Sequence, residues 1–245
     1  FVPAGTGALR DFSYIAPDIP IYDPSNCIGC MECVIECPDT AILAKVVHPD
    51  TLDEEMAKIS DPEIREAVRS RFVKTRKYWD AHEKKAEGSG GLFGIFIDPT
   101  KCKGCAECVA QCDDFALSML QKTDKNIPQY QQTWDAYESL PDTAPNYINE
   151  RLLTDMMLAE RTLLYAGGAG SCAGCGEASA IRMMLAATGF KYGAEEVGIV
   201  AATGCNTVYT STYPYNPYRI PWTNSLFENA PADAMGVRAR WDQTG

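Results

Sequence analysis

The chain has 245 residues, 46% of them hydrophobic, and a formal net charge of −11. This acidic balance argues against nucleic acid as a partner, because phosphates require clustered Lys and Arg. No apolar run approaches the length of a membrane span, and the eleven cysteines are typical of a reducing compartment, which predicts a cytoplasmic protein.

The first 26 residues are rich in Pro, Gly and Asp and show no sustained periodicity. Their aromatic and aliphatic side chains are too many for a disordered tail. We predict an extended arm over residues 1–26 that packs on the rest of the protein and ends in a short strand around Ile19–Tyr22.

A run of four cysteines follows the arm at the spacing Cys-x2-Cys-x2-Cys-x3-Cys-Pro, and the same cysteine spacing returns later with Asp113 in place of Pro38. This is the spacing of bacterial-type iron–sulfur runs. Structural zinc sites usually combine two short Cys/His ligand pairs, and they do not need a third cysteine at the same short spacing after the first two. A disulfide framework is typical of small secreted chains. Two 4Fe–4S clusters are therefore the preferred interpretation.

The fourth cysteine of each run lies about one helical turn beyond its own loop and points away from it. In two-cluster ferredoxins that cysteine ligates the other cluster. We therefore assign to the first cluster the ligands Cys27, Cys30, Cys33 and Cys112. The second cluster receives Cys102, Cys105, Cys108 and Cys37. Gly29 and Gly104 relieve backbone crowding between the ligands of the two loops.

The repeat extends beyond the cysteines and predicts a unit of strand, cluster loop, short helix and strand that is used twice, with a strand near 92–97 before the second run. Residues 27–121 are thus predicted to form an α+β two-cluster bacterial ferredoxin-like domain. A helical insertion over 49–91 separates its halves. In that insertion Ser60–Glu63 is typical of a helix start, because a capping residue precedes a proline and an acid.

Residues 122–165 are predicted to be a linker and a helix, with a connector over 122–145 and a helix from about Asn146 to Tyr165. A glycine-rich loop follows and opens a second helix over Glu177–Ala187. The continuous apolar run Val197–Ala202 is expected of a buried parallel strand.

Three further cysteines, Cys172, Cys175 and Cys205, lie in this C-terminal part. Cys205 follows the predicted strand, and ligands bind at the carboxyl ends of strands in open α/β sheets. Because two clusters are already predicted upstream, we expect these three thiolates to hold a third 4Fe–4S cluster. A zinc hook or a thioredoxin-like redox pair is the alternative for the Cys-x2-Cys pair.

These features together resemble the 2-oxoacid:ferredoxin oxidoreductase family, in particular its single-chain pyruvate enzymes. The resemblance covers nearly the whole chain and rests on the paired cysteine runs, Cys172–Glu177, Ala202–Cys205 and Pro221–Asn229. It implies that residues 166–245 are the N-terminal part of an α/β thiamine-diphosphate-binding domain. It also implies that Glu177 lies near the thiamine pocket and that the fourth ligand of the third cluster lies outside this chain.

The resemblance implies oxidative decarboxylation of pyruvate to acetyl-CoA and CO2, with electrons passing through three 4Fe–4S clusters to ferredoxin or flavodoxin. Thiamine diphosphate with Mg2+ would be a cofactor, and coenzyme A a substrate. The implied partners are the remaining domains of the same enzyme and a second copy in a homodimer. The magnesium-binding Gly-Asp-Gly segment is absent and the chain starts at Phe1, so we expect an electron-transfer fragment with no catalytic residue of its own.

Three alternatives stay open. The same reaction on 2-oxoglutarate or oxalate is one, a non-catalytic polyferredoxin subunit is the second, and a structural zinc protein is the third. One docking feature is also predicted, a local basic or apolar patch near one of the two ferredoxin-like clusters for an acidic ferredoxin. Lys101 and Lys103, beside the second cysteine run, are the candidates for a basic patch.

Overall fold

A computed structural model describes residues 3–244, so the ends of the chain at Phe1, Val2 and Gly245 lie outside the described residues. Within this range the strands are β1 Asp18–Tyr22, β2 Ile42–Val47, β3 Phe72–Lys74, β4 Leu92–Ile97, β5 Leu117–Gln121, β6 Ile199–Ala202 and β7 Trp222–Ser225. The helices are α1 Glu32–Glu36, α2 Pro49–Lys58, α3 Pro62–Arg69, α4 Ala81–Glu83, α5 Glu107–Ala110, α6 Ile127–Ser139, α7 Leu153–Met156, α8 Gly176–Tyr192, α9 Cys205–Thr210 and α10 Ala230–Thr244. None of the helices described is long and apolar enough to cross a bilayer.

The two halves of the cysteine-rich region have the same order of strand, loop, helix and strand. β1 pairs with β5 and β2 pairs with β4, both antiparallel, so each pair takes one strand from each half. The helices α1 and α5 pack against each other. Equivalent loop positions share a left-handed backbone, at Gly29 and Gly104, Met31 and Ala106, and Thr40 and Phe115. The predicted α+β ferredoxin-like architecture is confirmed at this level.

The insertion between the halves contains more than helices. Asp61 caps α3 as the sequence predicts, because its Oδ1 accepts hydrogen bonds from the amides of Glu63 and Ile64. After α3 the chain forms β3, which joins the edge of the sheet in the order β2-β4-β3. A π-helical turn at Arg76–Asp80 follows β3. The insertion thus extends the sheet, which the helical prediction did not include.

The predicted connector over 122–145 is wrong, because α6 occupies its centre. Buried Tyr130 and Tyr137 lie two turns apart on this helix, and the Tyr130 hydroxyl donates to the carbonyl of Pro20 at 3.0 Å. The Gln and Asp residues of this segment are largely on the exposed side of the helix. Tertiary packing of the tyrosines therefore decides the structure here, as it does for many helices.

The predicted helix from Asn146 to Tyr165 is also wrong, because only short turns and α7 lie there. The buried carboxylate of Asp155 accepts the Asn149 amide at 3.1 Å and the Tyr78 hydroxyl at 2.9 Å. A side chain that accepts backbone amides in this way competes with helical hydrogen bonds. The segment therefore bends around Asp155 and packs on the cysteine-rich domain.

The C-terminal part is a mixed α/β unit. The predicted helix at 177–187 is present and longer, as α8. β6 pairs with β7 in parallel, as expected of an α/β unit, but the prediction of a buried strand is wrong. Its residues are half-buried and Ala202 is exposed, because β6 has one neighbouring strand within the described residues and is covered incompletely by the helices packed on it.

Candidate iron–sulfur sites

One small cavity in the cysteine-rich domain is lined by four cysteine side chains from both runs, Cys27, Cys30, Cys33 and Cys112. We refer to it as the first cavity. The loop before α1 and α1 itself carry the first three of these residues, and the fourth follows α5. The contact between α1 and α5 brings the fourth cysteine across the domain.

A second cavity has the reciprocal lining of Cys37, Cys102, Cys105 and Cys108. Cys37 ends α1, and the Ala41 amide donates to its sulfur at 3.3 Å. The structure therefore brings together the same two sets of cysteines that the crosswise assignment pairs. In both sets the fourth cysteine comes from the opposite half of the domain.

Burial acts on the protonation of these thiols. It raises the pKa of Cys102 to about 12, against a smaller opposing effect of the Gly104 amide. It likewise raises the pKa of Cys33, and the neighbouring thiols add to the rise. Burial also raises the pKa of Cys27, although hydrogen bonds from the Tyr22 hydroxyl and the Gly29 amide oppose part of the rise. Thiolates at such sites need a nearby positive charge, which iron supplies.

The donor set fits a multi-iron cluster. A cubane cluster in proteins is held by four cysteine thiolates. Each cavity is lined by four cysteines and a single carboxylate, Asp114 at the first and Asp39 at the second. Within residues 3–244 no group of three or more His, Cys, Asp or Glu side chains is arranged to hold a metal ion. The four cysteines of each set line one cavity, which is compatible with a cluster that has its own inorganic core.

The third set of cysteines is more open to solvent than the other two. Cys172 and Cys205 are exposed and Cys175 is half-buried. Cys175 precedes α8 and Cys205 begins α9, directly after β6. Glu177 lies in the first turn of α8, is exposed, and accepts a hydrogen bond from the Tyr209 hydroxyl at 3.4 Å. A ligand role for these residues remains a prediction.

The loop that carries Cys172 and Cys175 lies against the second cavity. Lys103, between two cysteines of that cavity, donates to the carbonyl and the hydroxyl of Ser171, each at 2.9 Å. A Cβ atom at Gly174 would lie 2.8 Å from Glu107 Oε1 on α5. The third set of cysteines thus adjoins the second cavity.

The predicted basic patch at Lys101 and Lys103 is wrong, because both side chains are buried. The Lys101 ammonium donates to the carbonyls of Ala8 and Arg10, at 2.8 and 2.7 Å. Lys103 forms an ion pair with buried Asp39 at 2.7 Å. Both lysines therefore hold the N-terminal arm and the C-terminal part onto the domain and offer no charge to a partner.

An exposed apolar patch, the other kind that the sequence predicts, lies beside the first cavity at two residues that the sequence did not single out. Phe115 is 81% exposed and Ile28 is 53% exposed, and both lie within three residues of first-cavity cysteines. Their equivalents at the second cavity are Thr40 and Lys103, which the C-terminal part covers. The sequence shows that these equivalent positions are apolar at the first cavity and polar at the second. Only the fold shows that the C-terminal part covers the second cavity and leaves the first exposed.

The paired halves and their cysteine cavities define a ferredoxin-like 4Fe–4S domain joined to a mixed α/β unit. A family model described as a 4Fe-4S binding domain matches residues 19–42. Three relatives match nearly the whole chain. They are a pyruvate-flavodoxin oxidoreductase of a Nostoc species (28% identity over 98% of this chain), the pyruvate:ferredoxin oxidoreductase of Moorella thermoacetica (27% over 97%) and the pyruvate dehydrogenase [NADP(+)] of Cryptosporidium parvum (31% over 97%).

These matches confirm the resemblance to pyruvate:ferredoxin oxidoreductases that the cysteine runs and the C-terminal motifs predict. The chain spans only 19% of the Nostoc and Moorella proteins and 11% of the Cryptosporidium protein. The names of these three relatives share pyruvate and differ in the electron acceptor, which is flavodoxin, ferredoxin or NADP(+).

Proposed function

We propose that this chain is the electron-transfer part of a pyruvate:ferredoxin or pyruvate:flavodoxin oxidoreductase. In that reaction pyruvate and coenzyme A give acetyl-CoA, CO2 and a proton, and two electrons leave singly through iron–sulfur clusters to the acceptor. The observation that carries the proposal is the reciprocal lining of the two cavities in a chain similar throughout to pyruvate oxidoreductases.

In this proposal the first cavity holds one 4Fe–4S cluster and the second cavity holds another. Cys172, Cys175 and Cys205 hold a third cluster, with a fourth ligand from outside this chain. Glu177 lies near the thiamine diphosphate, whose Mg2+ is bound by parts outside this sequence. When bound, thiamine diphosphate supplies the carbanion chemistry, whereas this chain positions and insulates the clusters.

The order of the sites follows from their contacts. The loop with Cys172 and Cys175 adjoins the second cavity through Lys103 and Glu107. The second cavity in turn lies beside the first, because α1 and α5 pack against each other and each helix, with the cysteine that follows it, contributes to both cavities. Electrons would therefore pass from the third set of cysteines through the second cavity to the first, and leave at the uncovered face.

The proposed enzyme is tested by assaying the whole protein that carries this chain with a panel of 2-oxoacids, coenzyme A and oxidised ferredoxin or flavodoxin. We expect reduction of the carrier that depends on pyruvate and coenzyme A. A higher rate with 2-oxoglutarate or oxalate would reassign the substrate. No 2-oxoacid-dependent reduction, together with no binding of thiamine diphosphate, would favour a polyferredoxin subunit.

Replacing one cysteine of the third set should interrupt the electron path at the site where electrons enter it. We expect Cys205→Ser in the whole protein to reduce pyruvate-dependent carrier reduction by at least about a hundredfold, because a missing ligand costs the site its metal. The iron in the two cavities should remain, which iron analysis and the electron paramagnetic resonance (EPR) spectrum measure. Full carrier reduction by this variant would remove Cys205 from the path.

The apolar patch of Phe115 and Ile28 is the proposed exit to the carrier protein. We expect Phe115→Asp to raise the KM for the carrier about tenfold, because an exposed aromatic anchor is replaced by a charge. Tyr14→Asp is the matched control, since Tyr14 is also an exposed aromatic, at 71%, but lies in the N-terminal arm. Equal KM values for Phe115→Asp and the unmodified protein would place the exit elsewhere.

A further inference from the structure

Arg182 lies on α8 in the C-terminal part, yet its guanidinium reaches the turn that carries Cys37. Its side chain is 3% exposed. The Nη1 atom donates to the carbonyls of Val34, Ile35 and Cys37, the last two at 3.2 and 3.1 Å. One turn earlier on α8, Ser179 donates to the carbonyl of Glu36 at 2.9 Å. The same helix thus contributes one charged and one neutral contact to the end of α1.

The charge of Arg182 has no carboxylate partner among the ion pairs of the described residues. The nearby carboxylate of Asp39 is instead paired with Lys103 at 2.7 Å. Two further guanidinium atoms, Nε and Nη2, are buried without a hydrogen-bond partner. Burial lowers the pKa of Arg182 and the Cys37 thiolate opposes this, but a guanidinium stays protonated in proteins.

A buried cation without a counter-charge is costly, so the site should contain negative charge that balances it. Four cysteine thiolates around a 4Fe–4S core carry a net negative charge, and Cys37 is one of the four that line the second cavity. Within the part of the chain that the structure describes, one other cationic side chain, that of Lys122, donates a hydrogen bond to the backbone of a second-cavity cysteine. It donates to the carbonyl of Cys102 at 3.0 Å.

We propose that Arg182 sets the reduction potential of the second-cavity cluster, by holding a buried positive charge beside Cys37. This inference rests on the proposed function, since it requires a cluster in that cavity. Reduction adds one electron to a cluster that is already negative, and a fixed cation nearby stabilises the reduced form more than the oxidised form. Arg182 therefore raises the potential of this cluster, and α8 couples the C-terminal part to the electron path.

The test is an EPR-monitored redox titration of the whole protein purified with its clusters. In Arg182→Gln we expect the midpoint potential of one cluster to become more negative, while the other midpoints stay close to their original values. Lys122 still contributes its charge, so the potential is expected to fall without the cluster being lost. Arg182→Lys keeps the charge and is expected to retain most of the original potential.

Ser179→Ala is the matched control, because it removes a neutral hydrogen bond from the same helix to the same turn and is expected to leave all midpoints unchanged. If Arg182→Gln does not assemble, Arg182→Met supplies the same loss of charge without donors to satisfy. Loss of the second-cavity cluster from both neutral variants but not from Arg182→Lys would also support a requirement for the charge.

Two results would overturn the proposal. One is a set of unchanged midpoints in an assembled Arg182→Gln or Arg182→Met variant. The other is an equal shift in Arg182→Lys and Arg182→Gln, which would indicate a role in shape alone. The proposed function fails separately, if the unmodified protein shows no reducible 4Fe–4S signal at all.

Discussion

Replacing Cys37 with Ala is expected to remove the second-cavity cluster and to leave the first-cavity cluster in place. Iron per chain should fall by about four atoms, because each cubane holds four. Electron transfer to the carrier should fall by at least about a hundredfold, since the step between the third set of cysteines and the first cavity is lost. Iron analysis and the EPR spectrum of the remaining clusters measure both effects.

The comparison of residual spectra makes this a test of the crosswise pairing. Cys37→Ala should leave the same EPR spectrum as Cys102→Ala, and Cys112→Ala the same as Cys27→Ala. The pairing is contradicted if Cys37→Ala resembles Cys27→Ala, because both would then remove the cluster of their own run. The reciprocal lining of the two cavities is the structural reason for the expected result.

Replacing Lys103 with Met is expected to lower the free energy of unfolding by about 3–5 kcal/mol at neutral pH. The Lys103 and Asp39 side chains are 8% and 2% exposed and form an ion pair. Removal of one partner from a buried pair leaves the other charge uncompensated, which is the source of the cost. Urea denaturation followed by circular dichroism measures it. The double variant with Asp39→Asn is the control and should recover part of the loss.

The loss in Lys103→Met should depend on pH. Burial already raises the pKa of Asp39, and Lys103 opposes that rise, so removal of Lys103 raises the pKa further. Between the ordinary and the raised pKa the folded state binds more protons than the unfolded state, and the stability of the variant falls as pH rises through that window. The destabilisation should therefore grow as pH rises from the ordinary pKa of a carboxyl group through the raised pKa of Asp39. A loss that does not change with pH from acidic to alkaline conditions would exclude Asp39 as the cause.

The features predicted correctly from the sequence are those that local chemistry fixes. The spacing of the cysteine runs predicts both cysteine loops, because four converging thiolates restrict the backbone; the exchange of Cys37 and Cys112 between clusters stays a prediction. The strand before the second run and the start of α3 are likewise present at 92–97 and at Asp61. These features depend on residues that are close together in the chain.

The errors have a common physical cause, because they depend on contacts between distant residues. The helix α6 forms because Tyr130 and Tyr137 pack on the ferredoxin-like domain, and the segment near Asp155 bends because that carboxylate binds distant groups. Lys103 is buried because the C-terminal part covers it, about seventy residues later in the chain. Burial of a lysine by a distant unit leaves no periodic signal in the sequence.

Elemental analysis of the anaerobically purified protein tests the central claim most directly. Two clusters in the paired cavities predict about eight iron atoms and about eight acid-labile sulfides per chain, and a third cluster raises each number to about twelve in the whole enzyme. Zinc should be far below one atom per chain. Stoichiometric zinc without acid-labile sulfide would contradict the account and would assign the eight cysteines of the two cavities to structural metal sites.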